Sequence, residues 1–351
     1  MGDNFIPSLC ARVADAASRN SPLRIRGGGS KDFYGAESRG EVCDVGEYRG
    51  IVAYEPKELV LTVRAGTPLA EVEGALAAER QMLPFEPPHF GEATIGGIVA
   101  TGLSGPRRAY AGSVRDFVLG TRIVNGKGED LAFGGRVIKN VAGYDVSRLM
   151  TGALGTLGVI TEISFKVLPR PPAEATLAFD FNEADAITNA NHWAGQPLPI
   201  SATAWQDGVL RVRLSGAETA VQAARVKLGG ELIDDAGKYW DDVREQRLPF
   251  FAPDRPLWRI SLPQTAQPLA LDQPQFIEWG GGLRWVSGDL DVLTVRSTSE
   301  RAGGHATLFR GGDKSIGVFH PLKPALDKIH RRLKAAFDPA GILNPGRMYD
   351  F

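Results

Sequence analysis

The sequence predicts an α+β fold whose first half is rich in glycine. Three observations lead to this class: strand-length apolar runs alternate with helical patterns, glycine punctuates residues 1–172, and prolines cluster at residues 169–172. The 351 residues, with 42 glycines and 23 prolines, are enough for about two domains and require many tight turns. We therefore expect one domain over residues 1–172, a second α+β domain over 173–310 and a C-terminal segment over 311–351.

Periodicity and turn residues predict the elements of the first domain in order. A helix is expected over residues 7–19, and Thr67 and Pro68 are the expected N-cap and first position of a second helix that ends near Arg80. An Asn125-Gly126 turn predicts a hairpin. The expected strands cover residues 23–26, 51–54, 59–64, 118–124, 131–133 and 159–167.

The second domain shows a β-α-β-β-α-β rhythm that suggests a ferredoxin-like split βαβ unit. The expected strands cover residues 175–181, 200–205 and 209–214, and the expected helices cover 183–193 and 219–228. A second, looser round is indicated by the segments 258–262, 283–286, 289–300 and 305–309. An amphipathic helix over 322–337 closes the chain.

Composition excludes several classes of protein. Forty Lys and Arg against 41 Asp and Glu give a net charge of −1, which argues against nucleic acid and anionic membrane as partners. Two cysteines, Cys10 and Cys43, cannot hold an iron–sulfur cluster or a Cys-rich zinc site, and we predict no metal. No signal sequence or apolar stretch of about 20 residues is evident. We expect small-molecule chemistry in the cytoplasm.

Three glycine-rich blocks carry the candidate chemistry. Arg26-Gly27-Gly28-Gly29-Ser30-Lys31 follows a strand, and its glycines can present main-chain N–H groups to a pyrophosphate. The block is neither a Walker A loop nor a Rossmann fingerprint, and the alternative interpretation is a plain turn. The second block covers residues 93–102 and continues to 116, the alternative there being a tightly packed loop between helices, and the third covers 152–161. Three such blocks in one half favour an extended cofactor.

The order of these blocks resembles the FAD-binding domain of the vanillyl-alcohol oxidase superfamily, the PCMH-type fold. The resemblance covers about residues 1–172, and residues 338–347 resemble that family's C-terminal signature. More narrowly, residues 85–91, 112–120 and 136–150 look like the FAD-binding subunits of bacterial glycolate oxidases. The blocks that carry the wider resemblance are residues 26–31, 93–97, 104–108, 112–116, 139–145 and 155–161.

The resemblance implies noncovalent FAD, because covalent relatives have a histidine in or near the first glycine loop and residues 26–31 have none. It also implies a C-terminal segment that returns to the flavin. Arg26, Gly27, Gly28, Gly29, Ser30 and Lys31 would hold the pyrophosphate, and Thr94, Gly96, Gly97, Thr101, Gly102 and Ser104 would line the diphosphate and isoalloxazine. Gly112 and Ser113 would lie alongside the cofactor, Gly158, Val159 and Ile160 would meet its adenosine end, and Pro87 and Asn344 would be further flavin contacts.

The sequence departs from catalytic relatives late in the chain, and no catalytic residue is assigned. Enzymes of the family that oxidise 2-hydroxy acids carry a His-x-Gly-Asp-Gly-Asn type of motif there, which this chain lacks. His305 with Arg310 is a weaker candidate for a base and a carboxylate clamp, the alternative being a solvated strand. His89 is interpreted as a structural loop histidine rather than a flavin linkage or base.

The resemblance implies an FAD-binding subunit of a glycolate oxidase complex, which converts glycolate, a small 2-hydroxy acid, to glyoxylate. Its expected partners are a catalytic FAD subunit and an iron–sulfur subunit, with any contact to the inner membrane made through them. Because the late motif is missing, we expect electron relay rather than primary hydride transfer. Two alternatives stay open: a self-sufficient FAD-dependent 2-hydroxy-acid dehydrogenase, and a scaffold that binds no flavin.

Overall fold

A computed structural model describes residues 4–135 and 145–351 and confirms the α+β class. Residues 139–144 of the block 139–145 lie outside the described residues. The helices of the first half are α1 (Phe5–Ser18), α2 (Leu69–Ala78), α3 (Ile95–Thr101), α4 (Arg108–Ala111), α5 (Val114–Phe117) and α6 (Val146–Leu149). Its strands are β1 (Leu23–Arg26), β2 (Glu41–Asp44), β3 (Ile51–Glu55), β4 (Val60–Arg64), β5 (Gln81–Met82), β6 (Val118–Val124), β7 (Asp130–Gly134), β8 (Val159–Lys166) and β9 (Leu168–Pro169).

The first half is organised around a five-stranded antiparallel sheet of order β3-β4-β8-β6-β7. Val63 of β4 and Ile163 of β8 are fully buried, as are Val72 and Leu76 of α2. These residues form one core. Helix α2, which follows β4, therefore packs its apolar face against the sheet. Strands β1 and β2 form a separate parallel pair, and β5 pairs with β9.

The predicted elements of the first half are confirmed within two residues at each end, apart from the start of α2. The helix begins at Leu69, and Thr67 makes no cap. The Thr67 hydroxyl instead donates to the Arg64 carbonyl at 2.7 Å and accepts from the Gly50 N–H at 2.9 Å. The prediction of Thr67 as N-cap and Pro68 as first helical position is therefore wrong, because a tertiary contact engages the hydroxyl.

The second half forms a single eight-stranded sheet of order β13-β10-β12-β11-β15-β16-β14-β17. Its strands are β10 (Ala173–Asp180), β11 (Ile200–Gln206), β12 (Val209–Gly216), β13 (Glu231–Ile233), β14 (Leu257–Ser261), β15 (Gln275–Glu278), β16 (Leu283–Ser287) and β17 (His305–Arg310). The helices are α7 (Glu183–Ala194), α8 (Glu218–Leu228), α9 (Gly237–Arg244), α10 (Val292–Arg301) and α11 (Pro324–Phe337).

The strand order shows two rounds of the same unit joined edge to edge. Strands β10 to β13 stand in the order fourth-first-third-second, which is the ferredoxin-like arrangement, and β14 to β17 repeat it in mirror order. The rounds meet where β11 pairs with β15. In the second round, residues 262–274 replace the first helix by a loop. The predicted looser second round is thereby confirmed.

The C-terminal segment packs against the first half. The main-chain N–H of Leu23 donates to the Ile342 carbonyl at 2.8 Å, and that of Asn344 donates to the Leu23 carbonyl at 2.9 Å. The buried Lys334 of α11 donates to the carbonyls of Thr156 and Leu343 at 2.8 and 2.9 Å. These contacts carry residues 342–347 to the end of β1, beside the first glycine loop. The domain boundaries themselves stay a prediction.

Candidate functional site

A cleft opens where the first glycine loop, α3 and the loop before β8 come together. Its volume is about 90 Å³. Many of the sequence-predicted site residues meet in its wall: Arg26, Gly27, Gly28, Gly29, Ser30, Lys31, Thr94, Gly96, Gly97, Thr101, Gly158, Ile160 and Asn344. Blocks that are up to 318 positions apart in the chain therefore share one surface.

Residues 28–31 present main-chain donors that have no internal acceptor. Within the described residues, none of their N–H groups donates a hydrogen bond to the protein. Glycine is required here by space, because a Cβ on Gly28 would stand 1.7 Å from the Glu92 carbonyl oxygen and one on Gly27 would stand 2.4 Å from Thr94 Oγ1. Successive free N–H groups in a tight loop form a concave anion site. The loop therefore suits the pyrophosphate of a dinucleotide.

The charged side chains of the loop are anchored to the protein. Lys31 Nζ donates to the His89 carbonyl at 3.0 Å, and burial lowers the pKa of this ammonium to about 8, against a smaller opposing effect of Glu245. Arg26 Nε donates to Asp32 Oδ2 at 2.9 Å. Arg347 donates to the carbonyls of Lys31 and Asp32 at 3.2 and 3.3 Å. The cations therefore brace the loop and leave its main chain to meet a ligand.

The opposite wall of the cleft is α3 and its flanks. Thr94 caps α3 by accepting weakly from the Gly97 N–H, at 3.4 Å, and the Thr101 hydroxyl donates to the Gly97 carbonyl at 2.8 Å. The side chain of Asn344 bridges two walls: its Oδ1 accepts from the Ile25 N–H at 2.8 Å, and its Nδ2 donates to the Leu154 carbonyl at 2.7 Å. Asn344 lines the cleft, and its side-chain amide holds the main chains of Ile25 and Leu154 in place.

Six predicted site residues lie outside the wall of this cleft. Gly102 is the left-handed C-cap of α3, and Ser104 accepts from the Val114 N–H at 3.2 Å. Ser113 donates to Asp116 and caps α5. The others are Pro87, which is buried, Gly112, whose φ is +115°, and Val159, which is fully buried against α1 and β1. Contact of these six with a cofactor stays a prediction.

Comparison with known proteins places the chain in a known family. Residues 7–134 match the family described as FAD binding domain, and residues 322–348 match the C-terminal domain of FAD linked oxidases. The chain is 51% identical over 347 residues to glycolate oxidase subunit GlcE of Escherichia coli K12, covering 99% of this chain and 98% of that protein. The chain belongs to the GlcE family of glycolate oxidase subunits.

More distant relatives match parts of the chain alone. Glycolate oxidase subunit GlcD of Bacillus subtilis is 33% identical over 136 residues, which are 39% of this chain and 29% of that protein. A D-lactate dehydrogenase of Anaerostipes hadrus is 36% identical over 156 residues, 42% and 32% of the two chains. The solved structure of alkyldihydroxyacetonephosphate synthase superposes with a TM-score of 0.66 at 16% identity, covering 97% of this chain and 75% of that one, and shows a shared fold. This GlcE-family chain thus carries an FAD-binding domain.

The sequence missed several residues of the cleft in this GlcE-family protein. The side chain of Arg347 reaches the first glycine loop, and Asp32 holds Arg26 there. Arg347 lies in the C-terminal signature, and this motif could have indicated it. The direction in which its side chain points depends on the pairing of residues 342–344 with β1. The missed lining residues are Ile25, Asp32, Val45, Ala100, Leu154, Gly155 and Arg347.

Aromatic side chains pack where β16 and β17 meet the first half. Phe90 and Phe33 of the first half pack with Phe309 of β17, and Trp285 of β16 lies 4.9 Å from the Phe309 ring centroid. A cavity of about 660 Å³, lined by Glu86, Arg107 and Arg213 among others, also lies between the halves, whereas the cavity among the aromatic rings has a volume of about 20 Å³. That is room for about one water molecule.

Two buried acids stand at this junction. Burial raises the pKa of Glu278 to about 7, although Trp285 Nε1 donates to its Oε2 at 2.7 Å. Burial also disfavours ionised Glu86, but Arg213 and Arg107 outweigh this and lower its pKa. Arg213 donates to both Glu86 oxygens at 2.9 Å, and Arg107 Nε donates to Oε1 at 3.2 Å. This buried triad ties the two halves together.

The candidate histidines are not arranged as a catalytic pair. Arg310 donates to the Phe251 carbonyl at 2.8 Å, and the cation that acts on His305 is Arg259. Burial, Arg259 and His320 lower the pKa of His305. His89 Nε2 lies 2.9 Å from Glu73 Oε2, consistent with a structural role. Among the described residues, no group of three or more His, Cys, Asp or Glu is placed to hold a metal, and no helix is long and apolar enough to cross a membrane.

Proposed function

We propose that this chain holds FAD noncovalently in the glycine cleft and serves as the FAD-binding subunit of a glycolate oxidase complex that converts glycolate to glyoxylate. The free N–H groups of residues 28–31 support the pyrophosphate site. The match of 99% of the chain to a glycolate oxidase subunit supports the reaction. Bound FAD supplies the two-electron oxidant, and the residues of the chain bind it, orient it and exclude water. Arg26 and Arg347 would add positive charge near the phosphates.

We assign this chain an electron-relaying role within the complex. The observation that supports this assignment is the missing late motif: the chain lacks the His-x-Gly-Asp-Gly-Asn type of sequence whose histidines take the hydroxyl proton as hydride leaves for the flavin. Hydride transfer requires the hydroxyl carbon of the substrate to reach the flavin. In the proposal, a catalytic FAD subunit oxidises glycolate, an iron–sulfur subunit takes part in the onward transfer of electrons, and these partners make any contact with the inner membrane.

The absorption spectrum of the purified chain tests the cofactor. After incubation with FAD and desalting, we expect a flavin spectrum whose pigment is released by acid. Gly28→Ala should retain less flavin, because its Cβ meets the Glu92 carbonyl, whereas Gly74→Ala on α2, where a Cβ meets nothing within 4 Å, should retain as much as the wild type. A wild-type chain that retains no flavin would favour the scaffold alternative.

Anaerobic addition of glycolate tests the relay. We expect no bleaching of the flavin in the isolated chain and bleaching once the catalytic FAD subunit and the iron–sulfur subunit are added. Bleaching of the isolated chain at a rate close to that of the complex would favour the self-sufficient 2-hydroxy-acid dehydrogenase. In that case, Arg259→Met should slow the bleaching, because Arg259 is the cation beside His305.

A further inference from the structure

The apolar stripe of α11 is covered at one end and bare at the other. Leu326, Ile329, Leu333 and Phe337 are spaced three and four residues apart and so share one face of the helix. Leu333 and Phe337 pack against the core of the first half, whereas Leu326 and Ile329 are 48% and 51% exposed. Within the described residues, nothing buries the N-terminal half of the stripe.

An apolar groove continues from this bare end. It has a volume of about 220 Å³ and lies between α11, the loop around residues 148–157 and residues 348–351. Leu333, on the same face as Ile329, and His330 form part of its wall, together with Leu149, Leu157, Met348, Tyr349 and Phe351. We call Leu326, Ile329 and this groove the α11 surface. Its concave shape suits a protruding apolar side chain of a partner protein.

Positive charge surrounds the α11 surface, although the whole chain has a net charge of −1. Lys323, Lys328 and Arg332 are exposed on or beside the helix, and Asp327 is paired with Arg331. Arg115 and Arg148 stand across the groove, and Arg148 is paired with Asp145 at 3.3 Å. A partner that fits this surface carries carboxylates around its apolar contact.

The α11 surface also lies directly behind the cleft. Leu154, Gly155 and Gly158 line the cleft, while Thr151 and Thr156 of the same loop line the groove. One stretch of main chain therefore separates the two, and Lys334 fixes α11 to it through the Thr156 carbonyl at 2.8 Å. A protein seated on this surface comes as near to a bound flavin as the main chain allows. Close approach is what electron exchange between two proteins requires.

We propose that the α11 surface is the docking site of the protein with which this chain exchanges electrons, the iron–sulfur subunit of the complex. The proposal rests on the relay function above. The occupant is a protein with an apolar protrusion ringed by carboxylates. An anionic membrane is the weaker interpretation, because an interfacial helix lays a continuous apolar face on the bilayer, whereas here half of the stripe is buried and the rest borders a groove.

The dissociation constant between the FAD-loaded full-length chain and the purified iron–sulfur subunit tests the proposal. Ile329→Glu places a carboxylate on the apolar contact, and we expect it to weaken binding at least about tenfold. Leu293→Glu on α10 is the matched control, since Leu293 is 73% exposed and the charge change is the same. Lys328→Glu should weaken binding less, and its effect should shrink at high salt.

Each outcome decides between the proposals. If Ile329→Glu and the control Leu293→Glu both bind the iron–sulfur subunit as tightly as the wild type does, the docking site is wrong and the relay function stands. If the FAD-loaded wild type binds no partner subunit, the relay function fails and the docking site with it. Ile329→Glu that keeps the partner affinity but loses sedimentation with phosphatidylglycerol vesicles would assign the surface to a membrane instead. Retained flavin and an unchanged unfolding temperature confirm that the variant is folded.

Discussion

The glycine cleft and the junction between the two halves differ in which part of the chain forms them: main chain in the cleft and side chains at the junction. The cleft is formed by main chain: residues 28–31 keep free N–H groups, and Gly27 and Gly28 leave no room for a Cβ. The junction is formed by large side chains, with Glu86 held by Arg107 and Arg213 and with the aromatic rings of Phe90, Phe309 and Trp285 packed around a cavity of about 20 Å³. The free N–H groups of the cleft are suited to bind a ligand, whereas the paired charges and packed rings of the junction stabilise the fold.

The difference teaches where each region is vulnerable. A cleft built of main chain fails when its backbone is displaced, and the first consequence is lost ligand affinity. A junction of buried charges fails when one partner is removed, because the remaining charge stays buried without compensation. Variants in the two regions should therefore separate flavin binding from stability.

Glu86→Gln should cause the largest loss of stability. It leaves the buried guanidinium of Arg213 without its counter-charge and Arg107 with Glu174 alone, and breaking a buried ion pair costs about 3–5 kcal/mol. Below the unfolding temperature, flavin content should be unchanged. Denaturant unfolding measures the effect, with Asp130→Asn as control, because its partner Arg122 is 42% exposed and that pair contributes at most about 1 kcal/mol. Equal losses in both variants would contradict the comparison.

Gly28→Ala should show the reverse pattern. Its Cβ would stand 1.7 Å from the Glu92 carbonyl oxygen, so the loop must move. We expect FAD affinity to fall at least tenfold, with a loss of stability of about 1–3 kcal/mol in the flavin-free protein. Fluorescence titration with FAD measures the affinity. Gly74→Ala in α2 should bind normally and gain up to about 1 kcal/mol, since alanine favours a helix. Wild-type affinity for FAD in Gly28→Ala would contradict the assignment of residues 28–31 as the pyrophosphate site.

Glu278→Gln should change the pH dependence of stability at the junction. Burial raises the pKa of Glu278 to about 7 in the folded state, so the folded protein holds this proton where the unfolded chain has released it. The free energy of unfolding of the wild type should therefore fall, relative to the variant, as the pH rises from about 4.5 to about 7, and stay level above that. A difference of the order of 1–3 kcal/mol is expected from urea unfolding at pH 5 and pH 8. Parallel curves for the two proteins would show that Glu278 is ionised in the fold.

Lys31→Gln should have the smallest effect. Burial lowers the pKa of Lys31 to about 8, so the wild type loses this positive charge beside the cleft as the pH rises from 7 to 9. We expect its affinity for FAD to fall two- to fivefold over that range, a change of about 1 kcal/mol or less. Lys31→Gln, neutral throughout, should show a smaller pH dependence. The same slope in both proteins would show that Lys31 acts through the His89 carbonyl alone.

Local patterns in the sequence predicted most elements of the fold. The strand over residues 23–26 and the helix over 219–228 follow from periodicity, and the structure places them at Leu23–Arg26 and Glu218–Leu228. The helix cap at Thr67 failed because its hydroxyl bonds to Arg64 and Gly50 instead. Short elements such as β13 and α9 were missed, since they are too short or too polar to show a period.

The candidate site divides in the same way. The glycine loop at residues 26–31 was found because three consecutive glycines are a local signal, and residues 94–101 were found from the small residues of their block. Arg347 and Leu154 stand within the blocks 338–347 and 152–161, but they were missed because tertiary packing decides which members of a block face residues 26–31. Asn344 was predicted as a flavin contact, and the structure adds that its amide joins the main chains of Ile25 and Leu154.

The sequence by itself determined the α+β class, the glycine loop with its main-chain donors, and the doubled pattern of the second half, because spacing and glycine act over a few neighbouring residues. The tertiary structure alone decided which aromatic rings meet where the two halves join, that the Asn344 amide joins the main chains of Ile25 and Leu154, and that half of the α11 stripe stays bare. These outcomes depend on which distant surfaces are buried together. Burial is a property of the packed chain, and no local pattern records it.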